Sequence, residues 1–226
     1  MHILTEIFAQ KCKENLDLNN SNENLIYTYR SLPICIIDCV FSLRANYNKV
    51  TVPIVDRYAK NYLDGDKNKS GDTVSALIQH INELGGTEKF NEKVIKNHQI
   101  SGGNKKVDVC YKLAKYLQYL HIDTLEDFRD FESPELLEIV IRGVKGIGEA
   151  GTNYLFMLTG DTDRCKPDVQ VHRCIKEYCK CDIGDEECQE LFRDTVKCLK
   201  KQYPNLTVRG LDSIIWSKFQ DKNSRS

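Results

Sequence analysis

The sequence predicts an all-α fold, and three observations carry that prediction. Apolar residues recur at spacings of three and four through most of the chain. Capping residues and glycines fall where such segments begin and end. No run alternates with a period of two for more than a few residues. The 226 residues are 41% hydrophobic and 29% charged, with 5 Pro and 13 Gly. That length suits one large domain or two small ones and a core that needs no staples. The composition excludes collagen-like, proline-rich and largely disordered chains.

Ile3, Ile7 and Phe8 open an amphipathic first helix. From Leu32 to Leu43, Pro33 lies near a helix start, followed by Ile34, Ile37, Val40 and Phe41 at helical spacing. Pro53, Ile54, Tyr58 and Leu63 mark the next helix, ended by Asp64-Gly65, and Thr73 to Leu84 stops at Gly85-Gly86. Thr87 to Lys96 is followed by a break at Ser101-Gly102-Gly103-Asn104. Lys106 to Leu120 carries Val109, Leu113, Tyr116, Leu117 and Leu120 on one side. Thr124 and Ser133-Pro134 are N-cap signatures for two short helices. Asp185 to Gln202 and Leu211 to Phe219 complete the set. The β-branched Lys49 to Val55 is the best strand candidate, demoted by Pro53. There is no internal repeat, and only Leu18–Asn24 and Asp221–Ser226 read as loose.

The longest apolar stretches, Ile34–Cys39, interrupted by Asp38, and Tyr154–Leu158, fall far short of the roughly 18 residues a membrane helix needs. Glu6, Gln10, Lys11, Lys13 and Glu14 interrupt the N-terminus, which is unlike a signal peptide. The expectation is a soluble intracellular protein, in cytoplasm or nucleoid, or in the nucleus of a eukaryote. A net charge of −1 excludes an all-over basic coat but not a local basic patch. Lys93, Lys96, Lys105, Lys106, Lys112 and Lys115, with Asp108 as the acid among them, outline such a face; runs of this kind also occur as plain solvated helix surface.

Ten cysteines stand out. Cys174, Cys179, Cys181 and Cys188 are spaced C-x4-C-x-C-x6-C, which matches neither paired zinc knuckles nor ferredoxin spacings. Reduced structural thiols, with no metal and no cofactor, are expected.

Chemistry concentrates between Arg142 and Arg173. A helix from Pro134 ends at Gly143, and a tight Gly146-Ile147-Gly148 turn feeds a second helix from about Glu149. Glycines on either side of one apolar residue allow a sharp turn, while the next helix start offers unpaired N–H groups and a positive dipole end to a phosphate oxygen. Ile147 would plug the hairpin into the core, and Arg142 and Lys145 flank it. The same glycines also suit a plain helix–helix connector. Further on, Asp168 follows Pro167 and precedes an apolar helix with Val169, Val171 and Ile175. An aspartate there also reads simply as an N-cap.

Together, the Gly-Ile-Gly turn, the helix with Asn153-Tyr154 and the downstream Pro167-Asp168 resemble the helix-hairpin-helix DNA glycosylases, the family of endonuclease III and the 3-methyladenine glycosylases. The resemblance spans roughly residues 30 to 175, its specific motif 142 to 173. It implies two all-helical domains with a DNA cleft between them: a central domain, 33–160, and a second built from 1–32 plus 161–226. Carried over, Asp168 matches the catalytic aspartate, and Gly146 and Gly148 match the hairpin glycines whose amides hold phosphate, with Ile147 and Lys145 beside them. Bifunctional members have a nucleophilic lysine four residues beyond the first hairpin glycine, where this chain has Ala150. The pattern looks more like the monofunctional alkylpurine glycosylases. In the loop Ser42–Tyr47, Arg44 matches the side chain that wedges into the gap of a flipped base, with Asn46 and Tyr47 as neighbours; Arg44 also reads as an ordinary loop arginine. The family's iron–sulfur spacing, C-x6-C-x2-C-x5-C, is not found among these cysteines.

The resemblance thus implies a monomeric base-excision repair enzyme acting on lesion-containing double-stranded DNA and hydrolysing the N-glycosidic bond of a damaged or mispaired base. Tyr29, Tyr154, Trp216 and Phe219 are aromatics available to a base pocket or to the core. Two alternatives stand beside this: a non-catalytic helix-hairpin-helix DNA-binding protein, and a lyase using another lysine, such as Lys145 or Lys166.

Overall fold

The computed structural model describes residues 2–19 and 29–220; of the two stretches read as loose, 20–24 and 221–226 lie outside them. The described residues are mostly helical, with a single two-residue β-hairpin. They divide into two compact units, one within 28–160 and one within 1–27 and 161–226.

The unit within 28–160 is organised around α2 (Leu32–Ser42), every residue of which is buried. Ser31 caps it by accepting the Ile34 N–H at 3.1 Å, and Pro33 sits in the first turn, where a missing N–H costs nothing. A π-helical turn, Tyr47–Thr51, leads into α3 (Val52–Tyr62). The strand candidate 49–55 is therefore helical. Asn46 caps this segment, Pro53 lies in the first turn of α3, and Ile54, Val55, Tyr58 and Ala59 are buried at helical spacing. Next come α4 (Val74–Glu83), α5 (Thr87–Phe90) widening into a π turn at Asn91–Ile95, and the hairpin β1 (Ile100–Ser101) and β2 (Asn104–Lys105). The helices α6 (Lys106–Tyr119), α7 (Leu125–Arg129), α8 (Pro134–Gly143) and α9 (Glu149–Thr159) complete it. α2 packs against α3, α6 and α9 in one apolar core.

Lys106 departs from the basic face the sequence outlined. It is 2% exposed, and its ammonium donates to the Phe41 and Leu43 carbonyls at 3.1 and 2.6 Å and to Gln99 Oε1 at 3.0 Å. A cation there satisfies the last carbonyls of α2, the negative end of its dipole.

The other unit contains α1 (His2–Asn15), α10 (Val169–Cys179), α11 (Asp185–Leu199) and α12 (Val208–Gln220). α1 packs on α10 and α11, and α12 on α10 and α11. Its core has Phe8 near Phe192 and Tyr178, ring centroids 5.6 and 6.1 Å away, and Tyr178 against Phe219 at 5.9 Å. None of the described helices is long and apolar enough to cross a membrane.

Candidate functional site

The hairpin between α8 and α9 is built from two glycines with different physical roles. Gly146 has φ +113°, and a Cβ there would lie 2.9 Å from the Ser101 carbonyl oxygen and 3.0 Å from Val109 Cγ2. Ser101 Oγ donates to the Gly146 carbonyl at 2.7 Å. The β1–β2 turn buttresses the hairpin so closely that a Cβ on Gly102 would stand 2.8 Å from Gly146 Cα. Ile147 is 4% exposed, plugs into the core and spends its N–H on the Val144 carbonyl at 2.9 Å, so its amide is not offered to a ligand. Gly148 caps α9 at φ −98° and is exposed, and a Cβ placed on it would meet no atom within 4 Å. Neither backbone strain nor packing demands glycine there.

The charges around the hairpin are arranged differently from the sequence expectation. Arg142 lies 2.7 Å from Glu138 and 2.6 Å from Glu149. It neutralises the acid in the first turn of α9. Lys145 is exposed on the turn. Ala150 follows in the first turn of α9, where a lysine nucleophile would stand. Lys105 pairs with Glu88 at 2.6 Å, whereas Lys93, Lys96, Lys112 and Lys115 are exposed. Arg44 is exposed at φ +50° just beyond α2. Asn46 accepts the Lys49 N–H at 3.0 Å and so serves as a cap.

In the same unit a constellation appears that sequence reading missed. Asp38, fully buried on α2, accepts phenolic hydrogen bonds from Tyr29 (2.8 Å), Tyr47 (2.7 Å) and Tyr154 (2.9 Å). Burial, then the Asp38 charge, pushes all three phenols well above their ordinary range, so they remain neutral donors. Tyr29 is core, while Tyr47 and Tyr154 are half-exposed.

In the other unit, Asp168 is half-buried at the start of α10. Its Oδ1 accepts the Gln170 and Val171 N–H groups at 2.8 and 3.3 Å; its Oδ2 takes neither bond. The residue is thus an N-cap with one carboxylate oxygen in reserve. The connector before it is pinned by buried side chains: Gln189 takes the Cys165 N–H at 3.1 Å, and Asp212 takes the Lys166 N–H at 3.0 Å. Of the other aromatics considered, Phe219 is core and Trp216 half-buried.

The ten cysteines are free; seven are buried, Cys179 and Cys181 half-buried, and Cys198 exposed. Among the described residues no group of three or more His, Cys, Asp or Glu is placed to hold a metal ion. His172 lies 2.8 Å from Asp185 and 3.7 Å from Cys188. Burial pushes that thiol up to about 12, which keeps it from acting as a nucleophilic thiolate.

A family model described as a domain of unknown function (DUF8548) matches residues 6–220. No curated protein and no solved structure matches the chain.

Proposed function

We propose that this chain, which belongs to the DUF8548 family, is a monofunctional DNA N-glycosylase acting on a damaged or mispaired base in duplex DNA. One observation carries the reading: Asp168 stands on a connector whose backbone is fixed by buried Gln189 and Asp212, with one carboxylate oxygen left over from capping. Loop backbone held this firmly suits a charge that must meet its target in a set geometry.

The chemistry is hydrolysis. The C1′–N bond breaks with its electron pair leaving on the base, and positive charge develops at C1′ and the ring oxygen. The Asp168 carboxylate stabilises that charge and takes a proton from the water that adds to C1′. Amides at the start of α9, next to exposed Gly148, hold a backbone phosphate, and exposed Lys145 adds a cation. Arg44 fills the gap left by the flipped base. Ala150 provides no amine for a Schiff base, so the product is an intact abasic site.

The capping bonds of Asp168 also favour a second reading, a non-catalytic DNA-binding protein that keeps the aspartate for helix stability. Duplexes each carrying one defined lesion, incubated with the protein and then treated with alkali, decide between them. Alkali-dependent scission at a lesion, without borohydride cross-linking, supports the glycosylase. Duplex binding with no scission across the lesions supports the second reading. A borohydride cross-link points instead to a lyase using Lys145 or Lys166.

A further inference from the structure

We infer that Asp212 is a positioning residue for Asp168, fixing the turn that presents the carboxylate; the inference rests on reading Asp168 as the catalytic group. The turn closes on itself, since the Asp168 N–H donates to the Lys166 carbonyl at 2.6 Å across Pro167. Its entrance is held from α12, where Asp212 Oδ1 accepts the Lys166 N–H at 3.0 Å. Asp212 is 7% exposed. Other bonds fasten the same connector: Arg209 N–H to the Thr162 carbonyl at 3.0 Å, and Gln189 Nε2 to the Asp163 carbonyl at 3.1 Å. The connector's amides find their acceptors on buried side chains of α11 and α12 rather than on backbone, which ties its path to those two helices.

The chemistry of Asp212 fits the role. The groups facing it are Asp168 at the start of α10, Lys166 and Cys165 on the connector, and Arg209 on its own helix, with neutral Gln189 reaching the connector from α11. Burial, then the Asp168 charge, pushes the Asp212 carboxyl up to about 8. At neutral pH it is a protonated acid that accepts the Lys166 N–H without adding a second anion beside Asp168. Above that transition a second negative charge appears next to the first in a buried site. The anion holds the Lys166 N–H more tightly but repels the Asp168 carboxylate, which is pushed from its place, and excision falls.

The test compares Asp212→Asn and Asp212→Ala with the parent in single-turnover excision across pH. Asp212→Asn keeps an acceptor oxygen and has no proton to lose. It excises at close to the parental rate at neutral pH and lacks the parental fall near pH 8. Asp212→Ala loses the anchor, and misplacing Asp168 lowers the rate by up to about 100-fold with duplex affinity unchanged. That loss disappears in an Asp168→Asn background, which a general loss of stability would not do. Asp212→Ala at the parental rate overturns the inference, as does an alkaline fall retained in Asp212→Asn. If the parent excises nothing from any lesion duplex, the glycosylase reading fails and the positioning role fails with it, while the carboxyl carbon resonance of Asp212 still reports whether the two carboxyls are coupled. Titration near pH 8 that drops in Asp168→Asn supports it; titration in the ordinary carboxylate range in both proteins overturns it.

Discussion

Replacing Gly146 by alanine puts a methyl group 2.9 Å from the Ser101 carbonyl oxygen and 3.0 Å from Val109 Cγ2, on a backbone at φ +113°. The conformation alone costs an L-residue about 1–3 kcal/mol. Crowding against a backbone oxygen that cannot swing away adds about 1–3 kcal/mol. At about 2–4 °C per kcal/mol for a chain of this size, Gly146→Ala melts about 10 °C below the parent. Gly148→Ala is the control. Its φ of −98° is ordinary and no atom lies within 4 Å of the new Cβ, so only the weaker N-cap preference of alanine remains, about 0.5 kcal/mol. Thermal unfolding of the three proteins, followed by far-ultraviolet circular dichroism, measures both shifts. If Gly146→Ala and Gly148→Ala melt together, the hairpin is not buttressed by the β1–β2 turn as described.

Gly148→Phe folds like the parent and weakens binding to damaged and undamaged duplex alike, because phosphate contacts position without specifying; undiminished affinity removes the hairpin from the DNA interface. Asp212 makes stability depend on pH. Its carboxyl binds a proton in the folded state up to about 8 and in the unfolded chain only up to about 4. The stabilisation is complete below the lower value and is lost as pH rises through the higher one. Urea titrations across that range show a decline of a few kcal/mol that Asp212→Asn flattens; parallel curves contradict it. Tyr154→Phe removes one bond to Asp38 and costs about 1–2 kcal/mol, whereas Asp38→Ala removes the acceptor that three phenols share and costs about 3–5 kcal/mol. Equal midpoints for the two variants would show that the cluster is not built on Asp38.

The helices are legible in the sequence because burial repeats at three and four residues, and because Thr124 and Ser133 cap where their signatures put helix starts. The Gly146–Gly148 turn and Asp168 can be placed for the same reason: glycine conformation and capping are local properties. What sequence reading misses depends on distance in the chain. Asp38 gathers tyrosines from 9 residues before, 9 after and 116 further on, and no spacing rule joins them; its one local signal is an acid inside the otherwise apolar run Ile34–Val40. Lys106 looks like one more lysine in a basic helix until the end of α2 arrives to claim its ammonium. Arg142 reads as a cation for DNA, but its position one helical turn from Glu138 and across the hairpin from Glu149 commits it to carboxylates. Asp212 carries no local signal, because its partner is the backbone of Lys166, 46 residues earlier.

Single-turnover excision by Asp168→Asn, on a lesion duplex the parent cleaves, tests the central claim most directly. Asparagine keeps the oxygen that caps Gln170 and Val171, so the melting temperature stays close to the parent. Duplex affinity holds or rises, since a carboxylate beside a polyanion repels it. Removing the charge that stabilises the developing cation slows excision by about 10²–10³-fold. A well-folded Asn variant that excises at the parental rate would show that Asp168 is a helix cap and nothing more.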